Sequence, residues 1–89
     1  MGPIAEAMSA KLTARFSPTR LDLVDDSDRH HGHAGHTGAG ESHFNLTIES
    51  AAFAGLSRVA RQRLVNEALW EELAGPVHAL SIKAVAPGE

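Results

Sequence analysis

Histidine is the residue type in this sequence with the greatest capacity for chemistry. The chain has six histidines in 89 residues, and four of them lie in one short segment. These four are His30, His31, His33 and His36. A neutral imidazole is available near pH 7 and is a good ligand for iron and zinc. The chain has no cysteine, which excludes disulfides, thiolate nucleophiles and clusters ligated entirely by its own cysteines.

The four clustered histidines are open to two interpretations. Their composition is typical of a metal-binding tract. The alternative is a solvated loop that binds adventitious zinc or nickel weakly, because spacing within a mobile segment fixes no coordination geometry. If the loop alone handles such metals, deleting residues 31 to 36 should remove all metal binding in a calorimetric titration.

The two remaining histidines differ in their surroundings. In a strand, His78 would point to the same face as Leu80 and Ile82, so it could be a buried core residue of the last strand. The preceding Gly75-Pro76 instead favours an accessible turn position at the edge of the sheet. His43 alternates with Asn45 and Thr47, which predicts a surface or loop-anchoring residue rather than a ligand.

Other kinds of chemistry have weaker support in the sequence. The acidic residues Asp22, Asp25, Asp26 and Asp28 match no calcium-loop pattern, and no spacing places a serine, a histidine and an aspartate as a triad. We therefore predict no enzymatic activity. Arginines at the start of the long predicted helix could contact phosphates, with two on one face and the third pointing away. They are Arg58, Arg61 and Arg63.

Length and composition set broad limits on the architecture. The chain is long enough for one domain around one core. No apolar stretch approaches the length of a membrane helix, and the first residues do not resemble a secretory signal, so a cytoplasmic protein without a membrane association is expected. The net charge of -3 argues against non-specific binding of nucleic acid by the whole surface.

Hydrophobic periodicity predicts five elements in the order α-β-β-α-β. A helix is predicted over 3–16, strands over 21–24, 43–50 and 77–85, and a long helix from Ser57 to about Leu73. The stretch 25–41 lacks apolar periodicity and is expected to be a flexible loop rich in histidine and glycine. Packing the helices on one face of a three-stranded sheet buries the apolar stripes, which predicts a two-layer α+β sandwich.

Six short motifs, which occur in order from residue 24 to residue 82, resemble the BolA family. They are Val24-Asp25-Asp26-Ser27, Glu41-Ser42-His43-Phe44, Phe53-Ala54-Gly55-Leu56-Ser57, Arg61-Gln62-Arg63-Leu64-Val65, Glu71-Glu72-Leu73 and Val77-His78-Ala79-Leu80-Ser81-Ile82. The resemblance covers nearly the whole chain and is weakest before residue 20. It implies a fold similar to the class II KH fold, in agreement with the predicted order of elements.

The resemblance also implies a function and a set of ligands. Members of the family are partners of monothiol glutaredoxins, with which they share a [2Fe-2S] cluster that also uses glutathione, and bacterial members are linked to transcription, cell shape and stress responses. The family ligands match His78 and a loop position that corresponds to His30, with His31, His33 and His36 as less favoured candidates. We expect an iron-sulfur partner protein that is a monomer or weak dimer without its partner. The alternative is a DNA-binding regulator of morphology or stress genes that uses the long second helix.

Overall fold

A computed structural model describes residues 2–26 and 41–89 of the chain. The elements are helix α1 (Pro3–Phe16), strand β1 (Arg20–Asp25), strand β2 (His43–Glu49), a short 3-10 helix (Ala51–Phe53), helix α2 (Arg58–Ala68), helix α3 (Trp70–Ala74) and strand β3 (Ala79–Val85). The predicted α+β fold is confirmed. The predicted flexibility of the loop concerns mainly residues 27–40, which lie outside the described residues.

Helix α1 has the bounds that its apolar spacing predicts. Met8, Leu12 and Phe16 are buried on one face of the helix, because side chains four residues apart lie above one another. The helix ends at Ser17, whose backbone is in the left-handed region and whose N–H donates to the carbonyl of Thr13. This termination turns the chain back so that β1 can begin three residues later, at Arg20.

The long predicted helix is two helices, α2 and α3, separated by Leu69. The backbone of Leu69 leaves the helical region, with φ of -112° and ψ of 18°. Its N–H still donates to the carbonyl of Val65, and its carbonyl accepts from the N–H of Leu73. Val65 and Leu69 are both fully buried, so the apolar stripe continues through the bend. For that reason, the hydrophobic pattern alone could not reveal the break.

The sheet has the strand order β1-β2-β3, with β2 in the centre. β1 pairs with β2 in an antiparallel arrangement, whereas β2 and β3 are parallel. A parallel pair needs a long crossover connection, and α2 and α3 provide it. Phe44, Leu46 and Ile48 on β2 are buried together with the apolar face of α1, so the core lies between one layer of helices and one face of the sheet.

Strand β3 begins two residues later than the sequence predicts. Val77 is buried, but it precedes the strand, and its N–H donates to the carbonyl of Glu72. His78 also precedes the strand and is exposed. The interpretation of His78 as a core residue that shares a face with Leu80 and Ile82 is therefore wrong, and the turn position is correct. The parity argument failed because it assumed that the strand already included residue 78.

An ion pair ties α1 to α3 and supports the segment that leads to His78. The Lys11 ammonium lies 2.8 Å from the carboxylate of the largely buried Glu72 and 3.0 Å from that of Glu71. Hydrogen bonds to these two carboxylates raise the pKa of Lys11 above its usual value. The Glu72 carbonyl accepts from the N–H groups of Gly75 and Val77. The same residue thus fixes both the first helix and the turn that precedes β3.

Within the described residues, none of the helices combines the length and the apolar character needed to cross a membrane.

Candidate functional site

His78 is held at the end of the sheet by its backbone, while its side chain is exposed. Its N–H donates to the carbonyl of Ser42 at 2.8 Å, and the N–H of Ala79 donates to the same carbonyl at 3.2 Å. These bonds join the start of β3 to the residue that precedes β2. The backbone of His78 is therefore held in place, and its imidazole remains accessible to a ligand from solvent.

His43, the first residue of β2, lies beside His78. The centroids of the two imidazole rings are 6.5 Å apart, and the rings are tilted by 49°. The Nδ1 atom of His43 is 2.9 Å from the hydroxyl oxygen of Ser42. The sequence suggested no role for His43 as a ligand, yet the structure brings it nearer to His78 than their sequence separation indicates. Only the parallel pairing of β2 and β3, with His43 opposite Ala79, reveals this proximity.

Both ends of the histidine-rich segment are anchored at this end of the sheet. The N–H of Asp26 donates to the carbonyl of His43 at 2.7 Å, and the N–H of Glu41 donates to the carboxylate of Asp25 at 3.0 Å. The Glu41 carboxylate in turn accepts from the N–H of Ala5 at 2.9 Å, in the first turn of α1. The anchoring role predicted for His43 is thus present, and its backbone carbonyl performs it.

The predicted loop ligands themselves are His30, His31, His33 and His36, and they lie outside the described residues. The segment that carries them leaves the sheet at Asp26 and returns at Glu41, next to His43 and His78. Among residues 2–26 and 41–89, no group of three or more histidine, cysteine, aspartate or glutamate side chains is arranged to hold a metal ion. A metal or cluster at His78 would therefore need donors from the loop segment or from another molecule.

A second candidate site lies at the other end of β3. A groove with a cavity of about 610 Å³ separates the first turns of α2 from the last residues of the strand. Its basic side chains are Arg58, Arg61 and Lys83. Arg63 does not line it, in agreement with the prediction that this arginine points away from the other two.

Arg61 is the most constrained cation of this groove. Its side chain is only 13% exposed. Its guanidinium donates to the backbone carbonyls of Leu56 and Ala84 at 3.0 Å each, and it forms two bonds to the carboxylate of Glu89 at 2.5 and 2.6 Å. The bonds between the two side chains raise the pKa of Arg61 and, together with a bond from the Ala86 N–H, lower the pKa of Glu89 to about 2. Sequence spacing placed Arg61 on the correct face of the helix. It could not reveal that the guanidinium of Arg61 binds the carboxylate of Glu89.

The comparisons with known proteins agree on one family. A family profile described as BolA-like protein matches residues 12–89. The mouse protein named BolA-like protein 1 is 48% identical over 88 residues, which cover 99% of this chain and 61% of the mouse sequence. A Vibrio cholerae protein named DNA-binding transcriptional regulator BolA is 44% identical over 79 residues, with 89% of this chain and 71% of that protein covered.

Solved structures show the same similarity in three dimensions. The structure described as the BolA domain of SufE1 from Arabidopsis thaliana superimposes with a TM-score of 0.86 at 41% identity. The match covers 98% of this chain and 95% of that domain. A mixed three-stranded sheet covered by helices is therefore common to this chain and its relatives.

Proposed function

The chain belongs to the family of BolA-like proteins, and on this basis we propose that it is a non-enzymatic cytoplasmic partner protein in iron homeostasis. It binds a monothiol glutaredoxin, and the two proteins together hold a [2Fe-2S] cluster. The observation that carries this proposal is the exposed His78 imidazole, fixed beside His43 at the end of the sheet where the histidine-rich segment begins and ends. Because the chain spans only 61% of the mouse relative, the proposal concerns this domain.

The donors of the chain fit a shared cluster. His78 supplies one imidazole nitrogen, and His30 is the favoured source of a second, with His31, His33 and His36 as alternatives. His43, whose ring centroid lies 6.5 Å from that of His78, is a neighbour of the site and not one of the expected ligands. The chain has no cysteine, so the glutaredoxin cysteine and glutathione would supply the sulfur ligands. A [2Fe-2S] cluster with histidine ligands is a redox centre of higher potential than one with thiolates alone.

The contribution of this chain is to position nitrogen donors. The two N–H bonds to the Ser42 carbonyl hold the backbone on both sides of His78. The Ser42 hydroxyl also contacts Nδ1 of His43, which holds this neighbouring ring in place beside His78. A site of this kind is incomplete until a partner docks, since a [2Fe-2S] cluster has four protein or thiol ligand positions.

Titration of the protein with cluster-loaded monothiol glutaredoxin tests the proposal. We expect a heterodimer by size-exclusion chromatography and a change in the visible circular dichroism spectrum, because nitrogen ligands replace ligands of the glutaredoxin homodimer. His78→Ala should abolish most of the spectral change. His43→Ala is the matched control at the same end of the sheet and should disturb the spectrum less. An unchanged spectrum with no complex would refute the proposal.

The second candidate function is DNA-binding regulation of transcription. It is favoured by the shared face of Arg58 and Arg61 at the start of α2, together with the printed name of the Vibrio cholerae relative. Binding to one promoter sequence should fall steeply with salt, because it depends on phosphate contacts. The double variant Arg58→Ala, Arg61→Ala should abolish it, whereas Arg63→Ala should not. Absence of binding at low salt would exclude this function.

A further inference from the structure

The groove between α2 and β3 is a separate place from the histidine site. It lies along the last residues of β3, whereas His78 precedes the first residue of that strand. Its lining combines aliphatic and basic side chains, namely Leu56, Arg58, Arg61, Gln62, Ile82, Lys83 and Ala84. Arg58 and Lys83 are exposed, and Arg61 is largely buried. The groove is therefore a site of positive charge on a protein whose net charge is -3.

One side of the groove is an open strand edge. In the described sheet, β3 pairs with β2 alone. The Val85 carbonyl accepts from the N–H of Ser50 and so points toward β2. Because peptide groups alternate in direction along a strand, those of Ile82 and Ala84 point to the opposite edge. The bond from Arg61 to the Ala84 carbonyl is consistent with this direction. An extended peptide could thus pair with the outer edge of β3 at Ile82, next to the carbonyl that Arg61 holds, while its side chains reach α2.

The chain itself shows which chemical group the groove accepts. After β3 the backbone turns back, and the Glu89 carboxylate binds both terminal nitrogens of Arg61. The same carboxylate accepts from the N–H of Ala86 at 3.0 Å. Two parallel bonds from a guanidinium to a carboxylate give geometric selectivity as well as attraction. The bonds of Arg61 to Leu56 and Ala84 hold the guanidinium in place for this contact.

We propose that this groove binds an extended acidic segment of a partner protein, whose backbone pairs with the outer edge of β3 and whose carboxylate replaces that of Glu89 on Arg61. Main-chain pairing of this kind supplies affinity, and the side-chain contacts supply specificity. Glu89 then acts as an internal competitor that covers Arg61 until the partner arrives. Arg58 and Lys83 attract the acidic segment from the rim of the groove.

The lining favours a peptide over a single-stranded nucleic acid. Proteins that hold single-stranded nucleic acid commonly stack its bases on aromatic rings, and the described lining residues include no aromatic side chain. The most constrained cation already holds a carboxylate. The outer edge of β3 presents the N–H and carbonyl of Ile82 and the N–H of Ala84 to a peptide backbone, while Arg61 holds the Ala84 carbonyl.

A binding experiment on the full chain tests this proposal. The probe is a short fluorescein-labelled peptide of alternating valine and glutamate, and the matched control peptide has glutamine in place of glutamate. We expect the glutamate peptide to bind severalfold more tightly in fluorescence anisotropy and to shift the backbone amide resonances of Ile82 and Ala84. Glu89→Gln should tighten this binding roughly threefold or more, because it weakens a competing charged contact.

Matched variants separate the groove from general charge effects. Arg58→Gln and Lys83→Gln should each weaken binding of the glutamate peptide, and Arg63→Gln, which removes the same charge outside the groove, should leave it unchanged. All three side chains are exposed, so these variants should fold. Equal binding of the two peptides, or no effect of Glu89→Gln, would overturn the proposal. So would tighter binding of a single-stranded DNA oligonucleotide at the same amides, or self-association of the Glu89→Gln variant in sedimentation.

Discussion

The two ends of strand β3 present opposite kinds of site. At the start of the strand, His78 is exposed, and only its backbone is fixed. At the other end, Arg61 is largely buried and already holds a carboxylate of its own chain. In the proposed functions, the first site lacks ligands that another molecule brings, and the second carries a substitute for its ligand. Incomplete coordination and internal competition are therefore two ways in which one small domain can depend on a partner.

Both ends rest on the same core. The side chains of Phe44, Leu46 and Ile48 on the central strand pack against α1 and against the helices that precede β3. A domain of this length has a small margin of stability, roughly 5 kcal/mol or less. Substitutions in the core should therefore affect the two ends together, whereas substitutions at one end should leave the other intact.

The largest expected effect comes from Phe53→Ala. Phe53 is fully buried, and its ring centroid lies 5.0 Å from that of Phe16. Truncation of a buried phenylalanine costs about 3–5 kcal/mol, most of the available stability. Urea denaturation followed by circular dichroism should show this loss, and both cluster assembly and peptide binding should fail. Val59→Ala, at an exposed position of α2, is the control and should change the free energy of unfolding by less than about 0.5 kcal/mol.

His78→Ala should separate the two ends most clearly. The side chain is exposed, so we expect a change in unfolding free energy of less than about 0.5 kcal/mol while most of the cluster spectrum is lost. Binding of the glutamate peptide should match that of the parent chain. A loss of peptide binding in this variant would show that the two ends are coupled, and the comparison between them would then fail.

Glu41→Ala should have a smaller effect, confined to the histidine end. The Glu41 carboxylate accepts from the N–H of Ala5, in a helix whose N-cap residue, Gly2, forms no side-chain cap. Loss of a capping acceptor costs about 1 kcal/mol. Hydrogen exchange should become faster in the first turn of α1 and unchanged at Ala84. Glu41→Gln keeps an acceptor and should cost less, and equal changes at both ends would contradict the local anchoring role.

The smallest effect, and the most specific, is the titration of Glu89. Its bonds to Arg61 and to the N–H of Ala86 lower its pKa from 4.5 to about 2. Because the folded-state pKa is depressed, the contact stabilises the folded chain fully above pH 4.5, and this stabilisation is lost as the pH falls toward 2. Carbon NMR should place the Glu89 midpoint near 2, and Arg61→Gln should return it toward 4.5. A midpoint near 4.5 in the parent chain would contradict the internal competition.

Much of the fold could be predicted from the sequence, because local spacing determined it. Met8, Leu12 and Phe16 recur at helical intervals, and α1 has the bounds that they predict. The alternating residues of β2 gave its faces correctly. The break at Leu69 could not be predicted, because a continuous apolar stripe passes through it. The late start of β3 could not be predicted, because the buried Val77 precedes the strand and extends its apolar pattern. Backbone geometry at such points depends on packing, which periodicity does not record.

The candidate sites divide in the same way. The sequence by itself determined that the chain has imidazoles and no thiols, that His78 follows a Gly-Pro turn, and that Arg58 and Arg61 share a face. Only the tertiary structure decided that His43 lies beside His78 and that the Glu89 carboxylate binds the Arg61 guanidinium. Both pairs join residues far apart in the chain. Parallel strand pairing and the turn after β3 create them, and neither leaves a local pattern in the sequence.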